Sequence, residues 1–202
     1  MKIIKINPHN VDQGAVIEAA NVLKKGGILM YPTDTCYGLG ADISNTIAFD
    51  KIYKIKKRSK SKPVSVIIPR IDDIFNLAVV SDEQKKYIAK YLPGSVTLIF
   101  VTLDQDLFPF SSIGIRLPDY AVTQMISNEF KYPYVTTSAN VADYLPSYEV
   151  QDFLNQLEEG DIKPDLILDA GKLPKNDPST VVDLTSGKPK ILRTGTVKVQ
   201  EL

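Results

Sequence analysis

The apolar residues of this chain come in short runs, and each run stops at glycine, proline or a cluster of small polar residues. Even the longest stretch, from Val96 to Val101 with Thr97 inside it, falls far short of the ~20 apolar residues that a membrane-spanning helix requires. Runs of this size suit strands, so the chain has to build a sheet. Between them lie longer segments whose apolar residues recur at helical spacing, such as Val11, Ala15, Val16, Ala19, Val22 and Leu23. Strands alternating with amphipathic helices specify an α/β domain.

In order, the pattern predicts strands at residues 2–6, 28–31, 64–68, 95–102, 114–117 and 134–137, and helices at 11–25, 45–56, 71–78, 81–92, 119–130 and 148–158. Asn10 precedes the first helix and Gly26 with Gly27 stops it, while Ser81 and Gln84 form a capping box. Residues 32–40, PTDTCYGLG, read as a loop. Three further short strands, near 165–169, 180–184 and 190–193, crowd the last third, which makes the sheet mixed, twisted and open with flanking helices. With 202 residues and 44% hydrophobic composition, a single domain over 1–202 is expected. The N-terminal residues alternate lysine with isoleucine and lack the apolar core of a signal peptide, so a cytoplasmic protein with no membrane contact is expected.

The chain holds one cysteine, Cys36, and one histidine, His9. That excludes an internal disulfide, a structural zinc site and any histidine-bearing triad. Catalysis has to rest on Lys, Arg, Ser, Thr, Asp and a metal carried by a ligand. Formal charge sums to zero, but residues 51–62, KIYKIKKRSKSK, hold seven bases and no acid, leaving 17 positive and 24 negative charges on the other 190 residues. Such a run is either a local anion site or a solvated helix end favourable to the helix dipole.

Four segments place polar or cationic side chains at the ends of apolar strands, where open α/β sheets bind ligands. They are residues 32–40, 56–63, 114–118 and 136–140. Thr33, Asp34 and Thr35 offer two hydroxyls and a carboxylate, or an ordinary polar turn. Lys56, Arg58 and Lys62 are suited to fan around phosphate oxygens. Arg116 sits between Ile115 and Leu117 and needs a partner, either an internal Asp or Glu or a ligand carboxylate. Ser138 and Asn140 suit a ligand contact or a turn. Neither standard glycine-rich nucleotide loop is present.

In order along the chain, YPTDTCYGLG (31–40), Lys56 and Arg58 as K-x-R followed by Lys62 and Pro63, PGSVTLIF (93–100), IGIRLP (113–118), SAN (138–140), PSTVVDL (178–184) and ILRTG (191–195) resemble the YrdC-domain family of threonylcarbamoyl-AMP synthases, in its short single-domain form. The resemblance implies a sheet built around a positively charged cavity. It implies an enzyme, a nucleotidyltransferase converting L-threonine, bicarbonate and ATP to threonylcarbamoyl-AMP and pyrophosphate. Mg²⁺ would arrive with ATP, with no dedicated protein metal site, and a separate transferase machinery would move the threonylcarbamoyl group onto tRNA. Matching motif positions assigns Thr35, Arg116, Thr136 and Ser179 to threonine. Lys56, Arg58, Lys62, Ser112, Ser138, Asn140, Ser147 and Arg193 fall to the nucleotide, with Lys56 and Arg58 catalytic. Departures are Ser59 in place of the usual proline after K-x-R, Ile67 where longer relatives have histidine, and VADYLPSYEV after SAN. Two other readings stand beside this one: a paralogue taking another carbamoyl or acyl-adenylate substrate, and an RNA-binding module or weak RNA contact through the basic run.

Overall fold

The computed structural model describes residues 1–106 and 108–200. Its elements are β1 (Lys2–Lys5), α1 (Gln13–Lys24), β2 (Leu29–Pro32), β3 (Tyr37–Asp42), α2 (Thr46–Ile55), β4 (Ser65–Ile67), a 3-10 helix (Ile71–Asn76), β5 (Ala78–Val79), α3 (Asp82–Tyr91), β6 (Val96–Thr102), β7 (Ser112–Arg116), α4 (Ala121–Phe130), β8 (Tyr134–Ser138), α5 (Val150–Leu154), β9 (Leu166–Asp169), β10 (Thr180–Asp183) and β11 (Lys190–Arg193). The strands join in one mixed sheet in the order β1-β9-β2-β3-β8-β4-β7-β6-β10-β11, with β5 paired to the end of β6. Among the described residues, no helix is long and apolar enough to cross a membrane.

Local chemistry sets the helix ends. The Asn45 side chain accepts from the Ala48 N–H to open α2, and Ser81 and Gln84 bond reciprocally to open α3. α1 starts later than expected: Asp12, not Asn10, accepts from the Ala15 N–H. Gly26 ends that helix at φ +71, a conformation costly for residues with a Cβ.

Three expectations are corrected. Residues 37–42 are a strand, not part of a loop, because Thr33–Cys36 closes a hairpin and β3 pairs with both β2 and β8. The glycines that disguise this strand have a packing reason, since a Cβ on Gly40 would lie 3.0 Å from the Tyr31 ring. The segment after Ile71 is a 3-10 helix leading into β5, not an α-helix. The helix expected over 148–158 is confined to Val150–Leu154, followed by turns in which Asp161 accepts from the Glu158 N–H.

Strand alternation sorts the core into two clusters on opposite faces. Met30, Val66, Leu98, Ile115, Val135, Ile167 and Val182 join α2, α3 and α5 in the larger one. Leu29, Tyr31, Ile67, Tyr134, Leu166 and Leu168 pack against α1 and α4 in the smaller. Those two helices cover only part of that face. Further along the same strands the outward positions change from apolar to polar, from Ile67 to Ser65 and from Tyr134 to Thr136 and Ser138, and the face lies open.

Ile126→Ala, at a site with 0% exposure between α4 and the sheet, is expected to cost about 2–5 kcal/mol in urea unfolding. Ile17→Ala, 42% exposed on α1, should stay within about 0.5 kcal/mol.

Candidate functional site

The open part of the sheet face forms a cavity of about 350 Å³, within the usual range for small-molecule sites. Thr35, Arg58, Ser112, Arg116, Thr136, Ser138, Ser179 and Arg193 all line it, so residues spread from 35 to 193 meet in one place. Lys56, Asn140 and Ser147 do not line it but are bonded to residues that do, Lys56 and Asn140 to Ser138 and the Ser147 carbonyl to the Tyr37 N–H. Lys62 does neither: it is exposed on the loop before β4, and its backbone carbonyl accepts from Tyr53 Oη.

Arg116 comes up from β7 on the cavity face because Ile113 and Ile115 alternate with it into the core. Its Nη2 donates to Asp34 Oδ1 at 2.8 Å, with both side chains about 10% exposed. Asp34 Oδ2 accepts from Ser95 Oγ, and its backbone carbonyl accepts from Asn176 Nδ2 at 3.1 Å. An internal carboxylate is therefore the partner that the sequence demanded for Arg116. Among the described residues, Arg116 Nε is buried without a hydrogen-bond partner, so the pairing leaves part of the guanidinium unmatched. A buried N–H of this kind is costly unless something fills it.

Beside Arg116, Tyr31 Oη and Thr136 Oγ1 are 2.7 Å apart, and Thr33 and Thr35 share a hydroxyl contact of 3.2 Å in the hairpin turn. On the opposite wall Arg193 donates through Nε and Nη2 to the Ser179 carbonyl, at 3.0 and 2.8 Å, and to Ser179 Oγ at 3.0 Å. Ser179 Oγ also lies 2.9 Å from Thr97 Oγ1. Burial, followed by the charge of Arg116, holds Arg193 below the ordinary guanidinium value. Cys36 lines the cavity too, but burial pushes its thiol up despite the nearby Arg116, leaving it protonated and a poor nucleophile at neutral pH.

The K-x-R triplet sends its side chains in different directions. Lys56 is 3% exposed and donates to the Ser138 carbonyl (2.6 Å), the Asn140 carbonyl (2.9 Å) and Asn140 Oδ1 (3.0 Å). It thereby fastens the S-A-N turn to the end of α2. Asn140 Oδ1 also accepts from Ser138 Oγ, which fixes that hydroxyl at the cavity wall. Lys57, at φ +47, turns away to Glu158 and Asp161, both at 3.1 Å. Arg58 returns to the cavity with Nη2 on the Pro63 carbonyl at 3.1 Å. Lys60 pairs with Asp50 at 2.6 Å, so two bases of the basic run are taken by acids.

Sequence reasoning offered the Asp34 carboxylate as part of a ligand-binding segment or of a polar turn, not as the partner of Arg116, and assigned no role to Ser65 or Thr97. Thr97 carried a signal, a polar residue inside the most apolar run. Ser65 carried none, because it lies at the start of its strand where any polar residue is unremarkable.

Two outcomes test these interactions. Burial, then the Arg58 charge, push the Lys56 amine down to about 7, against ~10.4 in an unfolded chain. Between those values the unfolded chain binds the proton that the folded one has released, so stability rises with pH across the window. Lys56→Met should abolish that rise, read as the difference between the two proteins in urea unfolding at about pH 7 and about pH 9. Asp34→Ala leaves a buried, uncompensated guanidinium and should cost about 3–5 kcal/mol, most of it recovered when Arg116→Met is added.

A family model described as "Telomere recombination", spanning Sua5, YciO and YrdC, matches residues 21–195. A Homo sapiens protein named threonylcarbamoyl-AMP synthase is 34% identical over 194 residues, covering 90% of this chain and 67% of the human one. Escherichia coli YciO aligns over 100% of this chain and 99% of its own, with 24% identity and a TM-score of 0.88. Sua5 of P. abyssi, whose crystal structure holds L-threonine, aligns over 96% of this chain with 24% identity and a TM-score of 0.86, and this chain spans 58% of that one. The fold thus has counterparts among solved structures, and the chain belongs to the Sua5/YciO/YrdC family.

Proposed function

We propose that the chain is an L-threonylcarbamoyladenylate synthase, a nucleotidyltransferase that joins L-threonine, bicarbonate and ATP into threonylcarbamoyl-AMP with release of pyrophosphate. The observation that carries the reading is the company of Arg116: a guanidinium fixed by Asp34 that lines the same cavity as Arg58 and Arg193. Arg116, held by Asp34 at Nη2, then receives the amino-acid carboxylate through the part of its guanidinium that lines the cavity, with Thr35 and Thr136 as small polar neighbours. Arg58, Ser112 and Ser138 take the nucleotide end, and Arg193 and Ser179 close the opposite wall. ATP brings Mg²⁺ as part of the substrate.

The reaction asks the protein mainly to align and to neutralise. The threonine amine forms the C–N bond to bicarbonate carbon, and the displaced hydroxyl leaves as water with the amine proton. A carbamate oxygen then bonds to the α-phosphorus as the bond to pyrophosphate breaks. Arg58 and Arg193 offset the charge of the phosphates, a task suited to a pre-set electropositive cavity without a histidine base. Lys56 acts by holding the Ser138–Asn140 turn. The product is an activated acyl-adenylate, which a transferase acting on tRNA adenosine would consume. Lys57 and Lys60 are engaged by acids, which weighs against an RNA-binding module.

Pyrophosphate release by the purified protein with ATP, Mg²⁺ and bicarbonate should depend on L-threonine, with L-serine at least about tenfold poorer in kcat/KM. Release that is indifferent to the amino acid sinks the reading, and a panel of other amino acids and carbamoyl donors identifies a paralogue. Arg58→Ala should lower kcat/KM by roughly 10²–10³, while Lys57→Ala, whose side chain points to Glu158 and Asp161, should stay within about twofold.

A further inference from the structure

We propose that Ser65 is a substrate contact, its hydroxyl hydrogen-bonding the carboxyl group that passes from bicarbonate to the threonine amine; the inference rests on the synthase reading above. Ser65 opens β4 on the cavity face, two residues before Ile67, and lines the cavity. Among the described residues nothing hydrogen-bonds its Oγ, whereas Thr35, Thr136, Ser138 and Ser179 all spend their hydroxyls on neighbours.

Strand register gives the position. Ser65 pairs with Gly114 on β7 and with Thr136 on β8. On β7, Ser112, Gly114 and Arg116 share one face, each step of two residues being about 6.6 Å. Arg116 marks the amino-acid end and Ser112 the nucleotide end, so Ser65 lies beside the midpoint, where the C–N and O–P bonds have to form. Gly114 keeps that midpoint clear: a Cβ there would stand 2.9 Å from Ser65 Oγ and 3.3 Å from Thr97 Cγ2. A neutral hydroxyl is also the right donor for this place, because it orients one carbamate oxygen without quenching the nucleophilicity of the other as a cation would.

The experiment measures pyrophosphate release against added bicarbonate in CO₂-depleted buffer, with L-threonine and ATP saturating, and L-threonine binding by calorimetry without bicarbonate. Ser65→Ala is expected to raise the bicarbonate KM about five- to twentyfold, the loss of one hydrogen bond, with threonine affinity unchanged. Gly114→Ala, which covers the hydroxyl, should move the bicarbonate KM in the same direction, with the melting midpoint as a check on folding. An unchanged bicarbonate KM in an active Ser65→Ala protein overturns the inference alone, as does an equal loss of threonine affinity. A wild-type protein that releases no pyrophosphate overturns the synthase reading and this inference with it.

Discussion

A guanidinium on a central strand has to be compensated, and in obtaining its partner Arg116 draws together segments far apart in the chain. The partner, Asp34, stands in the β2–β3 turn, and the same residue takes Ser95 Oγ at the entry to β6 and Asn176 Nδ2 from the loop before β10. Placing a carboxylate there requires the hairpin to be tight, which the Thr33 hydroxyl secures by donating to the Cys36 carbonyl at 2.7 Å. The pair is nearly dry, and so each half depends on the other. The guanidinium so held is also part of the cavity lining.

The cavity exists because helix coverage stops. α1 and α4 shield the half of the sheet face where Leu29, Tyr31, Ile67 and Tyr134 point outward, and the strands continue past them with small polar side chains. The far wall is closed by backbone contact rather than by a helix. Gly195 lies so near the Pro178 carbonyl that a Cβ would sit 1.8 Å from its oxygen. This approach places β11 where Arg193 reaches the Ser179 carbonyl, and the Gly195 N–H in turn donates to Thr180 Oγ1 at 3.0 Å.

The triplet at the end of α2 divides its work by direction. A left-handed Lys57 rotates the chain so that its neighbours leave on the other side, Lys56 inward beneath the S-A-N turn and Arg58 into the cavity. Lys56 satisfies three acceptors at once, which suits an ammonium with three donors. The same burial disfavours the charge and, with the Arg58 charge, pushes the amine down to about 7, against the three acceptors that favour the ammonium.

The sequence by itself determined the fold class, the order of most elements, the helix cap at Ser81, and the segments that carry the site, because each is a local pattern of apolar period, cap or motif. Arg116 was recognisable as a residue needing a partner from its two apolar neighbours alone. Only the tertiary structure decided that Asp34 is that partner, that 37–42 is a strand, that Lys62 stays outside while Ser65 comes in, and that Lys56 does not line the cavity. These depend on pairing between strands distant in the chain and on where helices cease to cover a sheet, and no local spacing of residues encodes either.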